Sequence, residues 1–176
     1  MEAAIQEPVR VNIGCGSRIL DGWVNVDLIA RDSTKEEMKG KEPDVLSDVR
    51  EMPFHNEYAD EAMAIHVLEH FHIWEAEDLL KEWIRILKPG GQLIIEVPDL
   101  EKVVHYMAAG VEHPSLTMFP LYGDPTYKDD LMCHKWGYTY QSLTQLMESV
   151  GLRDIERQSA QFHFKDKRDM RVVGYK

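Results

Sequence analysis

The sequence predicts an α/β fold built on a doubly wound, mostly parallel sheet that an antiparallel strand pair closes at its C-terminal end. Three observations carry this. Short β-like runs alternate with helical periods along most of the chain. The first run ends in a glycine-bracketed turn, Gly14-Cys15-Gly16. The last two runs are joined by a short polar stretch in place of a helix.

In chain order, the first strand is Val9 to Ile13, stopped by Gly14, and the second is Trp23 to Val26, ending on Asp27. Asp44 to Ser47 is a weak third strand. Ala62 to Val67 is a fourth with buried character, and Leu93 to Val97 is the clearest fifth. Leu79, Leu80, Trp83, Ile84 and Leu87 recur at three- and four-residue steps, which predicts a helix that Lys88-Pro89-Gly90-Gly91 stops. Asp99 is placed to cap a helix running through Met107, and Thr139 to cap one carrying Leu143, Leu146 and Met147. Leu152 to Ser159 and Met170 to Gly174 form the closing pair. Between the last two helices, Val111 to Tyr138 is an irregular stretch of about 28 residues holding three prolines, and a stretch so long inside a domain is expected to be a lid or acceptor-binding insertion.

The 176 residues suit one domain, 1–176, which at this size buries roughly 70% of its unfolded surface. No apolar run reaches the length of a membrane span, and Met1 to Pro8 lacks the apolar core of a leader, so a cytoplasmic protein is expected. Cys15 and Cys133 lie far apart and in no CxxC spacing, which excludes a disulfide scaffold. A net charge of −11 argues against a nucleic-acid partner. The basic tail of Lys165, Lys167, Arg168 and Arg171 is interleaved with Asp166 and Asp169, and reads as a solvated turn.

A parallel sheet binds ligands outside the C-terminal ends of its strands. That edge would present Gly14-Cys15-Gly16, Asp27, Asp48 and His66. Glycines let a ligand touch backbone, and a carboxylate ending the second strand suits the two hydroxyls of a ribose. A dinucleotide site would want a third glycine at position 19, which is Ile, and an acid about 20 residues on, whereas Asp27 follows Gly16 by 11. No P-loop ending is present either. A nucleoside cofactor without phosphates fits better than NAD or ATP.

These residues resemble a known family. Val11 to Gly16 with Gly22 to Asp27, Asp48 to Phe54, Ala59-Asp60 with Ile65 to His70, and Glu82 to Gly91 are similar, in order, to motifs of class I S-adenosylmethionine-dependent methyltransferases, whose sheet is Rossmann-like. His134 to Thr139 resembles a compact, type 11-like branch associated with glycan and cell-surface gene neighbourhoods. The resemblance implies that S-adenosylmethionine is the cofactor and S-adenosylhomocysteine the product. It implies that Asn12, Gly14, Cys15 and Gly16 line the methionine part, that Asp27 takes the ribose, and that Leu28 lies against the adenine. Asp48 and Val49 would meet the adenine edge, and His66 would sit near the sulfonium. Residues 17–23 are too few for the helix most members have there, so Arg18 is expected to meet the cofactor carboxylate in its place.

Methyl transfer is an in-line displacement that depends on alignment, with a base needed only where the acceptor must lose a proton. His134, beside Lys135 and Trp136 in the insertion, and His66, at the strand end, are the candidate catalytic residues. Glu69 and His70 are expected to anchor the strand-to-helix connection. Trp136, Tyr138 and Tyr122 either floor an acceptor pocket or close the core. His55, His72, His105 and His113 show no metal spacing, and no metal is expected. The expected activity is methyl transfer to a small-molecule or glycan-like acceptor. The alternatives are a non-catalytic S-adenosylmethionine-binding partner subunit and, on a related fold, an aminopropyl transferase, for which no paired acids stand at the strand ends.

Overall fold

The computed structural model describes residues 7–28 and 42–176. The reading of Met1–Gln6 as lacking a leader lies outside them. Seven strands make one sheet: β1 (Arg10–Ile13), β2 (Val24–Asp27), β3 (Val45–Leu46), β4 (Ala59–Ile65), β5 (Leu87–Pro98), β6 (Arg153–Gln158) and β7 (Asp169–Tyr175). Their order is β3-β2-β1-β4-β5-β7-β6. β1 to β5 run parallel, and β7 pairs antiparallel with both β5 and β6. The order reverses between β1 and β4, which is where such a sheet opens a crevice for a ligand.

Among the described residues the α-helices are α1 (Ile73–Arg85), α2 (Leu100–Ala108), the single turn α3 (Phe119–Tyr122) and α4 (Tyr140–Ser149). The Asp99 carboxylate accepts the Glu101 N–H at 3.1 Å and caps α2. The Thr139 hydroxyl accepts the Ser142 N–H, while the Ser142 hydroxyl accepts that of Thr139, so α4 starts on a reciprocal box. Ala76, Leu79, Leu80 and Trp83 of α1, with Leu143 and Met147 of α4, bury against one face of the sheet. That face presents Val11, Ile13, Ala64, Leu93, Ile95, Val97 and Val172.

The alternate residues of the same strands face the other way. Met63, Ile65, Ile94 and Val173 form a thin apolar layer there, covered by Leu20, Trp23 and Phe162 from loops and by Tyr175 at the end of β7. Asn12, Asn25, Glu96 and Arg171 are also buried on this face.

The structure departs from the sequence reading in three places. β4 begins at Ala59 and ends at Ile65, earlier than Ala62 to Val67, because Ala59 pairs with Leu87 and His66 turns out of the strand with φ +54°. β5 begins at once after α1 and includes Lys88 to Gly91, so the helix stop is also a strand start. Arg168 and Arg171 are not part of a solvated turn. Only 7% and 6% exposed, they are paired with Asp169 at 2.5 Å and Glu96 at 2.8 Å, because Arg171 lies in β7, an interior strand, and Arg168 immediately before it, and each meets a carboxylate there. Lys165 and Lys167 are exposed, as expected.

Candidate functional site

At the C-terminal end of β1, residues 14–23 make a run of turns with no helix. Two buried asparagines hold it. Asn12 Nδ2 donates to the Arg18 carbonyl and to Asn25 Oδ1. Asn25 in turn donates to the Leu20 and Trp23 carbonyls and accepts the Leu20 N–H. Gly14 has φ +62°, and a Cβ there would lie 2.6 Å from Val67 Cγ2, so both backbone and space require glycine. The Gly16 N–H donates to Asp27 Oδ2 at 2.7 Å, joining the turn to the carboxylate that ends β2. Cys15 is buried, and its N–H donates to the Val26 carbonyl.

Leu28, beside that carboxylate, is 53% exposed. A polar anchor for hydroxyls next to an uncovered apolar side chain fits a nucleoside, ribose on Asp27 and base on Leu28. The guanidinium of Arg18 lies over the Phe162 ring at 4.4 Å, near enough to Glu96 to feel its charge. Asp48 accepts four bonds from Arg50, from its guanidinium and its N–H, and these hold its carboxyl below the usual range. An adenine amino group would compete there with Arg50. Val49 is buried, and its carbonyl accepts the Trp83 indole N–H at 3.1 Å.

His66, at the end of β4, lies between two carboxylates and is hydrogen-bonded to one of them. Nδ1 is 2.7 Å from Glu69 Oε1 and Nε2 is 3.4 Å from Asp169 Oδ2. Burial alone would lower its pKa, but Glu69 and Asp169 outweigh that and raise it to about 9. The ring of His163 meets it edge-on, with centroids 4.4 Å apart. A positive φ in a histidine at a ligand edge is the kind of local strain that folds tolerate at working sites.

The 111–138 segment closes over this corner as turns and short helical pieces around α3. The Lys135 and Trp136 N–H groups both donate to the Glu69 carbonyl, at 2.7 and 3.2 Å. His134 Nδ1 is 2.8 Å from the Pro120 carbonyl, and burial lowers its pKa. That bond makes Nδ1 the protonated nitrogen and leaves a lone pair on Nε2. Tyr138 is 1% exposed and closes the core, whereas Trp136 and Tyr122 stay in contact with solvent. A cleft of about 510 Å³ opens in the segment, lined by Met118, Phe119, Tyr122, Met132 and Cys133 among others.

The structure thus gathers Asn12, Gly14, Cys15, Gly16, Arg18, Asp27 and Leu28 around one turn, with Asp48 and Val49 in the loop after β3. His66 stands across the order reversal. His66 and His134 do not touch, although both border Glu69. Sequence reasoning missed Glu96, His163 and Asp169. Glu96 stands on β5 directly beside β4, whereas His163 and Asp169 reach the site through the antiparallel insertion of β7 beside β5, which no local pattern marks.

Residues 11–95 match a family model described as a methyltransferase domain. No curated protein matches the chain. Among solved structures, the chain is similar to an S-adenosylmethionine-dependent methyltransferase from Thermotoga maritima, described as a possible histamine N-methyltransferase. The identity is 20%, the TM-score 0.63, and the match covers 98% of this chain and 84% of that one. It is also similar to one from Archaeoglobus fulgidus, at 16% identity and TM-score 0.65, over 96% and 86% of the two chains. A third is the 1,6-didemethyltoxoflavin-N1-methyltransferase of Burkholderia thailandensis, solved with its acceptor and S-adenosylhomocysteine. It is 14% identical, with TM-score 0.63, over 97% and 72%. At these identities the structures speak for the fold.

Proposed function

Residues 11–95 carry a methyltransferase domain, and from that premise we propose that the chain is a class I S-adenosylmethionine-dependent enzyme that methylates a small-molecule or glycan-like acceptor. One observation carries the reading. The open Gly14-Cys15-Gly16 turn is hydrogen-bonded to the strand-end carboxylate of Asp27, beside exposed Leu28, at the point where the strand order reverses.

In this reading the backbone of residues 12–16 lines the methionine moiety, with Arg18 facing its carboxylate. Asp27 binds the ribose hydroxyls and Leu28 the adenine face, with Asp48 and Val49 at the adenine edge. When bound, the cofactor supplies an electrophilic methyl group on a sulfonium. An acceptor lone pair forms the new bond to carbon as the sulfur–carbon bond breaks, leaving neutral S-adenosylhomocysteine, and an acceptor O–H or N–H proton passes to solvent or to a neighbouring group. The protein's part is to hold the two in line. His66, protonated between two carboxylates, has no lone pair with which to take a proton, so its role is to orient and to donate. His134, with its proton on Nδ1, keeps a lone pair on Nε2. The neighbouring cleft suits a small molecule, and the exposed rings of Trp136 and Tyr122 offer faces for a sugar to stack on.

Calorimetric titration with S-adenosylmethionine and S-adenosylhomocysteine tests the cofactor half. Both are expected to bind, and Asp27→Ala is expected to abolish both while leaving the protein folded. A folded wild-type protein that binds neither overturns the reading. Transfer of labelled methyl groups to a panel of sugars, amines and phenols then tests the acceptor class. Binding without transfer to any acceptor would favour the partner-subunit alternative.

A further inference from the structure

We infer that Glu69, His70 and His134 form a three-ligand site for a divalent transition-metal ion, at the corner where the 111–138 segment meets the end of β4. One potential ligand atom from each residue lies within 4.8 Å of the others. Bonds of about 2.0–2.1 Å to a tetrahedral ion would put such atoms roughly 3.4 Å apart, so modest side-chain rotation brings the set into range.

The stronger argument is how the other atoms of the three side chains are used. Glu69 is 1% exposed, and its Oε1 is bonded to His66 Nδ1, but its Oε2 is buried with no hydrogen-bond partner. An orphaned carboxylate oxygen is costly in a protein interior unless something positive meets it. His134 Nδ1 is committed to the Pro120 carbonyl at 2.8 Å, and His70 Nδ1 faces the Cys133 carbonyl at 3.3 Å. In the neutral form of each imidazole these contacts put the proton on Nδ1 and leave on Nε2 the lone pair that a metal takes. Each ligand is steadied by an outer partner, as in built metal sites.

The backbone sets the three in register. Glu69 and His70 lie on a single helical turn, Leu68–His70. His134 comes from the far segment, fastened there by the bonds of Lys135 and Trp136 to the Glu69 carbonyl. Glu69 is buried while His70 and His134 are half-buried, so the ion would be held from the interior side by the carboxylate and reached from the more open side of the two imidazoles. Two imidazoles and one carboxylate favour zinc, manganese, iron(II) or cobalt over calcium or magnesium. An ion with open positions there would draw in an acceptor hydroxyl and ease loss of its proton. This role rests on the methyl-transfer reading, whereas the site itself does not.

The test uses the full chain, free of affinity tag and stripped with chelator, titrated with Co²⁺ and Zn²⁺. Expected are one equivalent per chain, visible Co²⁺ absorption bands of nitrogen–oxygen coordination, and affinity lowered at least about tenfold by His70→Ala or His134→Ala. Both histidines are half-buried, so these variants report on the site where buried Glu69→Gln could disturb folding. Their thermal melts and S-adenosylmethionine binding are expected to match the wild type. No saturable binding, or binding that both variants retain in full, overturns the site. Nucleoside binding without metal binding defeats this inference alone. Metal binding without nucleoside binding defeats the methyl-transfer reading and leaves the site. Transfer rates that chelation leaves unchanged overturn the ion's role toward the acceptor.

Discussion

The two faces of the sheet are covered by different means. On one, α1 and α4 bury Leu79, Leu80, Trp83, Leu143 and Met147 against strand residues that are nearly all apolar. On the other, among the described residues, loops lie over the strands, and buried polar side chains tie them down. Asn12 and Asn25 hold residues 14–23. Glu96 accepts the N–H groups of Gln161 and Phe162, and Asp169 that of Phe164. Burial of apolar surface is strong and non-directional, so it holds helices well and specifies no single loop path. Hydrogen bonds from fixed side chains contribute less net stability but set position. The helical face thus supplies the stability, and the polar face places the backbone that we propose as the cofactor's seat.

The comparison is broken most severely on the helical face. Trp83 is fully buried, and Trp83→Ala is expected to cost about 3–5 kcal/mol by thermal or urea unfolding. A loss below about 1 kcal/mol would mean that the α1 packing is not what holds the sheet. On the polar face, Glu96→Ala leaves Arg171 buried without its partner, at a cost of roughly 3 kcal/mol. The double replacement Glu96→Leu with Arg171→Leu sharpens the contrast. It is expected to recover most of that stability yet bind S-adenosylmethionine more weakly, because residues 161–162 lose their anchor. Full recovery of both would show that Glu96 serves stability and does not position the loop. Gly14→Ala comes next, at about 1–2 kcal/mol for the left-handed backbone, plus a displacement of Val67. Its signature is lost cofactor affinity larger than the lost stability, read by calorimetry against a melt.

The helical face was the legible one. Periodicity in Leu79, Leu80, Trp83 and Ile84 is a local signal, as are the caps at Asp99 and Thr139, and the structure has α1, α2 and α4 where these predict them. The glycine turn and Asp27 were legible for the same reason, since they lie at the ends of neighbouring strands close in sequence. The polar network was not. Arg171 and Glu96 meet because β7 inserts between β5 and β6, and the charges of a buried interior strand look, in sequence, like those of a solvated turn. Glu69, His70 and His134 escaped similarly. The first two are adjacent, the third arrives across the 111–138 segment, and no ligand spacing spans that gap.

The smallest effect lies where the helical face borrows the method of the polar one. Glu82 of α1 accepts the Met52 N–H at 2.8 Å and two bonds from Arg85, whose guanidinium also reaches the Met52 and Phe54 carbonyls. The pair thereby pins the 52–56 loop to the helix. Burial would raise the Glu82 pKa, but Arg85 and the Met52 N–H together bring it below its usual value. A carboxylate whose folded pKa is depressed adds stability that is full above its unfolded pKa, near about 4.3, and is lost as pH falls through the folded value. Glu82→Gln keeps an acceptor for Met52 but gives up the charge. It is expected to cost roughly 1 kcal/mol at pH 7 and less at pH 3, below the unfolded carboxylate's pKa, where the contribution of the charge is already being lost. Urea unfolding of both proteins at the two pH values measures this. Parallel losses would mean that Glu82 acts by shape alone, and that on the helical face even a half-buried ion pair serves packing more than position.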